Sequence, residues 1–385
     1  MRAIVIGGCG AQGSFTTRDM VKRNVFDEVV IADINLEAAD NFAGELNSPK
    51  VSTRRVDVLD MNSLLPAIRD VDLVVNCTGP YYLLGPPVVK AAITAGKNYI
   101  DFCDDIAAHE EMIKWDQEAK NKGLTILVGL GVSPGLCPLI VLDCAGKMDE
   151  VEEVHLPQLI NNAEPEGPAV AGHMIANFFG KVPVVSGGKR TYKEAFMDEE
   201  EVDFGPHLGK GKVSPFGHPE IFTLMRVLPD IKNISIKIGT YPVEEYEAIK
   251  FLSMMGMGSE EPLNVKGRMV VPRDFLISLL MAQPPREIPK DRPISSSMIC
   301  EVKGKKGGNA ITVKLYFNGF MGPSTGLPCS LGAEWIVQGR ITRKGVVFPE
   351  ECIDPKPFLD EAFKRIRESS SFFEIKEEII ISRTL

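Results

Sequence analysis

The chain has 385 residues, of which 44% are hydrophobic and 25% charged, and its formal net charge is −9. This length exceeds one ordinary domain and predicts two, each long enough to bury a core. The acidic balance and the lack of a long basic run argue against a nucleic-acid partner, and no apolar run in the sequence is long enough to cross a membrane.

The first predicted strand, residues 2–6, runs into a glycine-rich loop and then into a predicted helix, residues 11–23. The loop has the spacing GxGxxG, and its candidate cofactor-binding residues are Gly8, Gly10, Ala11, Gln12 and Gly13. In this motif the first glycine makes a tight turn, the second lets the backbone approach a pyrophosphate, and the third lets helix and strand pack closely. The helix N-terminus then faces the phosphates. The stretch predicts a dinucleotide-binding site.

Asp33, at the end of the second predicted strand (residues 28–32), sets the expected cofactor. A carboxylate at this place accepts hydrogen bonds from the adenosine ribose and repels a 2′-phosphate. No Arg or Lys follows within several residues, so nothing nearby in the sequence would neutralise such a phosphate. We therefore expect NAD in preference to NADP. Asp33 could also cap the helix predicted at residues 36–46, a compatible role that Asn35 could fill equally well.

Short apolar strands alternate with helices over the first 130 residues. The predicted strands cover residues 2–6, 28–32, 51–56, 71–76, 98–102 and 125–128, and the predicted helices cover residues 11–23, 36–46, 61–68, 86–95 and 107–122. This alternation predicts an α/β fold with a doubly wound parallel sheet of the Rossmann type. Asp57, after the third strand, is expected near the adenine, with capping of the next helix an equal alternative.

Three loops reach the sheet edge where ligands of doubly wound sheets bind, beyond the carboxyl ends of the strands. The loop after the fourth strand supplies the candidate cofactor-binding residues Cys77, Thr78 and Gly79. Tyr81 and Tyr82 follow in the same loop, and each either projects toward substrate or packs under the next helix.

The loop after the fifth strand contains Cys103, Asp104 and Asp105. Two adjacent carboxylates at a helix start are either ordinary N-terminal caps or groups that bind an ammonium ion or relay a proton. The third loop, residues 129–136, is rich in glycine, which permits close backbone approach to a ligand.

From about residue 151 the pattern changes to period-two alternation. Residues 299–302 with 310–317, and residues 182–185 with 190–195, are each predicted to form an antiparallel hairpin. We therefore expect an α+β second domain with a mainly antiparallel sheet. The polar stretch 198–219 is predicted to be a mobile lid, and further helices are predicted at residues 330–338 and 357–368.

The eight cysteines are scattered without a CxxC pair, and the five histidines form no HxH or HExxH pair. The first predicted strand begins at Arg2, which leaves no room for a secretion signal before it. We expect reduced thiols, a cytoplasmic protein and no metal site.

Several motifs in combination resemble the saccharopine dehydrogenase family. They are the GxGxxG loop with Asp33 behind it, the run Asn76-Cys-Thr-Gly-Pro-Tyr-Tyr82, residues 85–101, the run Gly131-Val-Ser-Pro-Gly-Leu136, and Thr325-Gly-Leu-Pro328 with residues 339–350. The resemblance spans nearly the whole chain and is closer to the lysine 6-dehydrogenase and carboxynorspermidine-type branches than to the lysine-biosynthetic saccharopine reductases. Residues 158–193 depart from the family pattern, so the substrate cannot be carried over.

The resemblance implies an NAD(P)-dependent oxidoreductase that oxidises a C–N bond of an amino acid or related amine, or that performs the reverse reductive amination. It also implies a homodimer and a last segment that returns to the first domain. The expected division is residues 1–130 for dinucleotide binding, 131–325 for substrate binding and dimerisation, and 326–385 for the returning segment.

Oxidation of an amine by hydride transfer needs a group that takes a proton from the ammonium and manages protons on water. The candidate acids and bases are Tyr81, Asp104, Asp105 and His173. His173 lies on an apolar helix, where a lone histidine is more often a core residue. A substrate carboxylate would bind a cation, and the sequence does not choose among Lys181, Lys189, Arg190 and Arg226.

The candidate substrate-binding residues are Tyr82, Cys103, Asp105, Arg190, His218 and Thr325. Thr325 is included because Thr325-Gly326 is predicted to be a turn that leads into a helix, whose N-terminus would attract an anion. Two other functions stay open: a dinucleotide-binding regulator without turnover, and a reductase of an apolar substrate, with which the Met/Phe-rich residues 251–257 are consistent.

Overall fold

The computed structural model describes residues 1–163, 167–283 and 294–382. The chain forms two compact units. The first unit consists of Met1–Asp143, Phe222–Val227 and Met321–Ser371, and the second consists of Cys144–Ile221, Leu228–Phe320 and Phe372–Leu385.

The strands are, in chain order, β1 (Arg2–Ile6), β2 (Glu28–Asp33), β3 (Val51–Arg55), β4 (Leu73–Asn76), β5 (Asn98–Asp101), β6 (Thr125–Leu127), β7 (Glu150–Asn161), β8 (Lys181–Ser186), β9 (Lys189–Glu194), β10 (Glu200–Asp203), β11 (Lys210–Pro215), β12 (Asn233–Tyr241), β13 (Leu263–Val265), β14 (Arg268–Val270), β15 (Ser296–Lys306), β16 (Asn309–Gly319), β17 (Gly345–Val347) and β18 (Phe373–Ser382).

The α-helices are, in chain order, α1 (Gly13–Lys22), α2 (Leu36–Leu46), α3 (Met61–Ile68), α4 (Tyr81–Ala95), α5 (Ile106–Met112), α6 (Asp116–Asn121), α7 (Leu136–Ala145), α8 (Pro168–Asn177), α9 (Glu220–Val227), α10 (Val243–Met254), α11 (Pro272–Met281), α12 (Met321–Val337), α13 (Pro349–Cys352) and α14 (Pro355–Ser369). In the described part of the chain, none of these helices is both long enough and apolar enough to cross a membrane.

The first unit is built on a seven-stranded sheet with the order β17-β6-β5-β4-β1-β2-β3. All of its strands pair in parallel. Side chains such as Ile4, Val74 and Ile100 are fully buried, as expected for a parallel sheet covered by helices on both faces. The order of the first six strands is that of dinucleotide-binding sheets, which confirms the predicted doubly wound fold.

Three helices of the first unit differ markedly from their predictions. The helix predicted at residues 330–338 is α12, which begins at Met321. The helix predicted at residues 86–95 begins at Tyr81, because the Asp105 carboxylate of a distant loop accepts a hydrogen bond from the Tyr82 N–H (3.0 Å) in its first turn. The helix predicted at residues 107–122 is broken by a 3₁₀ turn at Ile113–Trp115.

The second unit contains a nine-stranded sheet with the order β10-β11-β12-β7-β15-β16-β18, and β8 joins it between β12 and β9. The pair β12–β7 is parallel and the other pairs are antiparallel. The predicted, mainly antiparallel sheet is therefore confirmed, and both predicted hairpins are present as β8–β9 and β15–β16.

The prediction of a mobile lid over residues 198–219 is wrong. This stretch contains β10 and β11, which pair with each other, and β11 also pairs with β12. Phe204, Leu208 and Val213 are buried in one hydrophobic cluster with Leu159 of β7. The polar residues that suggested a loop alternate with these apolar ones along the edge of the sheet.

Candidate functional site

The glycine-rich loop connects β1 to α1 at the carboxyl edge of the first sheet. The tight turn predicted at Gly8 lies at Gly7, which has a φ of +72° and whose carbonyl accepts a hydrogen bond from the Gly10 N–H (3.1 Å). A Cβ at Gly8 would lie 2.8 Å from Thr17 Oγ1, so this glycine provides space instead. A Cβ at Gly13 would lie 2.3 Å from the Gly7 carbonyl oxygen, so α1 packs directly on the loop.

Asp33 lies at the end of β2, beside this loop. One carboxylate oxygen accepts a hydrogen bond from the Asn35 N–H (2.9 Å) and the other from the Cys9 thiol (3.1 Å). Burial, with the nearby Asp33 carboxylate, raises the pKa of the Cys9 thiol to about 12, so the thiol stays protonated and donates. The cap of α2 is Asn35, whose side chain accepts from the Ala38 N–H (3.1 Å), so the Asp33 carboxylate does not cap this helix.

Asp57 lies between β3 and α3. Its side chain accepts a hydrogen bond from the Leu59 N–H (3.0 Å), whereas Asp60 is the N-cap of α3. The alternative role of Asp57 as the helix cap is therefore wrong.

A buried hydrogen-bond network joins the carboxyl ends of β4 and β5. The Tyr99 hydroxyl donates to Asp101 Oδ2 (2.6 Å) and accepts from Asn76 Nδ2 (3.1 Å). Asp101 Oδ1 accepts from the N–H groups of Cys103 (3.0 Å) and Gly129 (2.7 Å). Burial raises the pKa of Asp101 to about 6. One carboxyl group thus fixes the loops after β5 and β6.

The loop after β4 is fixed by Asn76. Its Oδ1 accepts hydrogen bonds from the Thr78 N–H (3.1 Å) and hydroxyl (2.5 Å), and its carbonyl accepts from the Tyr81 hydroxyl (2.9 Å). Tyr81 is buried and packs edge-on against Phe102, and burial raises the pKa of its hydroxyl well above the ordinary value. Tyr81 therefore packs under the helix, which was one of its two predicted roles. Its burial and raised pKa disfavour the other role, as an acid or base. Tyr82, in the same turn of α4, is exposed.

The loop after β5 brings Cys103, Asp104 and Asp105 together. Asp105 occupies the N-cap position of α5, yet its side chain binds the first turn of α4 as described above. Burial raises the pKa of the Cys103 thiol well above its ordinary value, which makes it a neutral neighbour of these carboxylates. Asp104 is partly exposed at this edge.

His109 is a residue of this edge that the sequence reasoning missed. It is buried, its ring stacks on Phe348 (5.3 Å between centroids), and its Nδ1 lies 3.0 Å from the Asp105 carbonyl oxygen. A Cβ at Gly129 would lie 2.9 Å from His109 Nε2, so the third loop packs on this ring. Because this contact is with a backbone carbonyl, which every residue has, the local sequence carried no signal for it.

The prediction that a helix begins just after Thr325-Gly326 is wrong. Since α12 begins at Met321, both residues lie inside the helix. The Gly326 carbonyl accepts a hydrogen bond from the Thr16 hydroxyl of α1 (3.0 Å), and a Cβ at Gly326 would lie 2.7 Å from Phe15 Cβ. Small residues that suggested a turn instead let α12 and α1 approach closely. Thr325 itself lies beside Gly131 of the third loop.

The remaining candidates lie in the second unit. His173 on α8 is buried, with its ring 5.5 Å from that of His218. His218 is hydrogen-bonded to Glu220, and both are buried. Arg190 on β9 lies over the ring of Tyr192.

Two of the other candidate cations are engaged in ion pairs. Lys181 lies 3.9 Å from Glu194, and Arg226 lies 2.9 Å from Glu351.

The parallel sheet, its glycine-rich loop and the acid at the end of β2 define a dinucleotide-binding oxidoreductase. Residues 3–127 match the saccharopine dehydrogenase NADP binding domain, and residues 175–366 match the saccharopine dehydrogenase C-terminal domain. The chain belongs to the saccharopine dehydrogenase family and is an NAD(P)-dependent dehydrogenase, as the sequence motifs predicted.

The similarity to known proteins extends over nearly the whole chain for some of them and over less than half of it for others. Carboxyaminopropylagmatine dehydrogenase of Synechocystis sp. is 25% identical over 93% of this chain and 94% of its own length. A saccharopine dehydrogenase-like oxidoreductase of Rattus norvegicus is 27% identical over 43% of this chain and 42% of its own length. Apo saccharopine dehydrogenase (L-Glu forming) from Saccharomyces cerevisiae shares the fold, with a TM-score of 0.70, 16% identity, and coverage of 98% of this chain and 99% of that one.

Proposed function

We propose that this protein oxidises a C–N bond of an amine or amino acid with a nicotinamide dinucleotide, or performs the reverse reductive amination. The observation that carries the proposal is the convergence of the glycine-rich loop, Asp33 and three polar loops at one edge of a parallel sheet. The relative that covers nearly the whole chain is named for a derivative of agmatine, an amine, which supports this substrate class.

The residues at the sheet edge fit a dinucleotide. The positions at Gly8 and Gly13 have no room for a Cβ, so α1 packs directly on the loop. The first backbone N–H groups of such a helix can bind a pyrophosphate. In the proposed arrangement Gly10, Ala11 and Gln12 line the pyrophosphate, Asp33 binds the adenosine ribose and Asp57 lies near the adenine. Cys77, Thr78 and Gly79 line the nicotinamide ribose. When bound, the cofactor accepts a hydride from the substrate carbon.

We infer that Asp104 removes the substrate's ammonium proton. It is the partly exposed carboxylate of the loops after β4, β5 and β6, which are the nicotinamide-side loops of the proposed arrangement. The Asp105 carboxylate accepts a hydrogen bond from the Tyr82 N–H, and this bond holds the start of α4 against the loop after β5. His173 is the alternative acid or base. Roles in substrate binding stay predictions for Tyr82, Cys103, Asp105, Arg190, His218 and Thr325. The domain limits, a cytoplasmic location and a homodimer also stay predictions.

We also infer a preference for NAD, although the matching family domain is described as NADP binding. The Asp33 carboxylate lies where it repels a 2′-phosphate. Asp33→Ser should weaken NAD binding by about 1.5–3 kcal/mol, because a charged hydrogen-bond acceptor is lost, and should narrow the gap between NAD and NADP in calorimetric titrations. Since Asn35 caps α2, the helix should survive, and an unchanged affinity for NAD would contradict this role.

The activity is tested by following reduction of the dinucleotide with carboxyaminopropylagmatine, saccharopine, lysine and other amines, and its oxidation in the reverse direction. Turnover of one amine with a carbonyl product is the expected result. The matched variants Asp104→Asn and His173→Gln separate the two candidate bases, since only loss of the base should abolish the ionisation in the pH profile of kcat/KM.

A further inference from the structure

A cation lies beside Asp33 on the neighbouring strand. In the register of β2 and β3, Asp33 pairs with Arg55, and the Val56 N–H donates to the Asp33 carbonyl (3.0 Å). Neighbouring strands are about 4.8 Å apart, so the long Arg55 side chain can reach any group bound by the Asp33 carboxylate. The two residues are far apart in sequence, which is why the local pattern after Asp33 shows no cation.

Arg55 belongs to the series of β3 residues that faces α2. Val51 packs on the hydrophobic cluster under this helix, and the Thr53 hydroxyl donates to Asp40 of α2 (2.5 Å). Because side chains of a strand alternate between its two faces, Arg55 points to the same face as these two residues. Asp33 shares that face, since residues paired across parallel strands point the same way.

The Arg55 guanidinium is available for a ligand. It is exposed, and among the described residues its side chain makes no hydrogen bond or ion pair. By contrast, Arg54 on the opposite face donates to the Ala67 carbonyl (2.7 Å). The Asp33 carboxylate accepts hydrogen bonds from the Asn35 N–H and the Cys9 thiol, and no ion pair joins it to Arg55 in the described part of the chain.

Exposed apolar side chains of the first unit gather at the same edge. Apart from Met1, the large exposed apolar side chains of this unit come shortly after β2, β3 and β4 in the sequence. They are Ile34, Leu36, Leu59, Met61, Tyr82 and Leu83. Four of them follow Asp33 or Arg55 within six residues in the sequence, and exposed apolar side chains there could pack on an adenine ring. The place of Arg55 is therefore next to the adenosine ribose of the proposed cofactor.

We propose that Arg55 binds the 2′-phosphate of NADP, so that the ribose site accepts NADP as well as NAD. The inference rests on the proposed dinucleotide function. Asp33 accepts the ribose hydroxyls of NAD, and the fork of N–H donors on Arg55 pairs with the phosphate that replaces one of those hydroxyls. The relative affinity for the two cofactors is then set by this pair of opposite charges.

The test compares full-length wild type with Arg55→Gln by calorimetric titration of NAD, NADP and adenosine 2′,5′-bisphosphate, at low and high salt. We expect Arg55→Gln to raise Kd for NADP and for the bisphosphate by at least about tenfold, the scale of a charged hydrogen bond. Kd for NAD should change by less than about twofold, since no ion pair to its ribose is lost. The salt dependence of NADP binding should fall, because an exposed ion pair is screened.

Arg69→Gln is the matched control. Arg69 is also exposed and, in the described ranges, also makes no side-chain hydrogen bond or ion pair, but it follows α3 instead of a strand of the site. Its three affinities should equal those of wild type. Equal NADP affinity of Arg55→Gln and wild type would overturn the inference, as would a wild type that binds NAD and neither phosphorylated ligand. A wild type that binds no dinucleotide would refute the proposed function instead.

Discussion

Asp101 holds two loops of the candidate site in place. It is fully buried, and it accepts hydrogen bonds from the loops after β5 and β6 and from Tyr99. A polar group that holds two loops from below the surface fixes the positions of the groups above it. We infer that Asp101 positions Asp104 and the nicotinamide-side loops without touching substrate.

Asp101 should make stability depend on pH. Its pKa in the folded protein, about 6, lies above the value of about 3.9 in an unfolded chain, so the folded state binds the proton more tightly. The resulting stability is present below about pH 4 and is lost as pH rises to about 6. Asp101→Asn removes this titration, so the unfolding free energy of the variant relative to wild type should rise by about 3 kcal/mol between pH 4 and pH 7. Urea unfolding at several pH values measures this difference, and a constant difference would show that Asp101 is not the titrating group.

At the scale of the element, we expect two glycines of the loop from β1 to α1 to have different roles. Gly13 should matter for folding, and Gly10 should matter for dinucleotide binding. A Cβ at Gly13 would lie 2.3 Å from backbone, whereas one at Gly10 would lie 3.2 Å from its nearest atom, the Gly7 carbonyl oxygen. Gly13→Ala should therefore lower the free energy of unfolding by about 1–3 kcal/mol, the usual cost of overpacking. Gly10→Val should leave the unfolding transition nearly unchanged and abolish dinucleotide binding. Thermal unfolding and titration of both variants decide this, and global unfolding of Gly10→Val would make Gly10 a structural residue.

Elements with local signals were predicted well, and those defined by distant contacts were not. The bounds of α2 and α3 match their predictions, because each begins at a capping residue next to it in sequence, Asn35 and Asp60. The start of α4 depends on Asp105 from another loop, and α12 depends on close packing against α1. Neither contact is visible in a local pattern.

The same limit applies to the site. The glycine-rich loop and Asp33 belong to one sequence motif with a fixed spacing, so the sequence predicted that they act together. The pairing of Arg55 with Asp33 follows from strand register, which the sequence alone does not fix. The Asn76–Tyr99–Asp101 network follows from the order of strands in the sheet, so the motifs that contain these residues did not predict that their side chains meet.

At the scale of the whole molecule, the first unit is assembled from separated segments of the chain. The segment from Met321 to Ser371 adds β17 to the parallel sheet and packs α12 on α1. A buried ion cluster ties these parts together: Arg365 of α14 binds Asp19 of α1 (2.9 Å) and Glu334 of α12 (2.7 Å). The helix α1, whose N-terminus we propose to face the pyrophosphate, is therefore fixed by residues of α12 and α14.

Arg365→Ala should lower the free energy of unfolding by about 3 kcal/mol, because Glu334 loses its buried counter-charge and Asp19 keeps only Arg23 (3.0 Å). Lys364→Ala is the control, since Lys364 is exposed on the same helix and its loss should change stability by less than about 0.5 kcal/mol. Urea unfolding of the two variants gives the comparison. If they were equally stable, the ion cluster would not hold the returning segment.

The measurement that tests the account most directly is a turnover assay of the purified protein with NAD or NADP and a panel of amines, read from the absorbance of the reduced nicotinamide. We expect one amine to reduce the dinucleotide and yield a carbonyl product, and Asp104→Asn to lower kcat/KM by at least about a hundredfold while dinucleotide binding persists. Tight dinucleotide binding without turnover of any amine in either direction would contradict an amine dehydrogenase and would make the protein a regulator or a reductase of a different substrate.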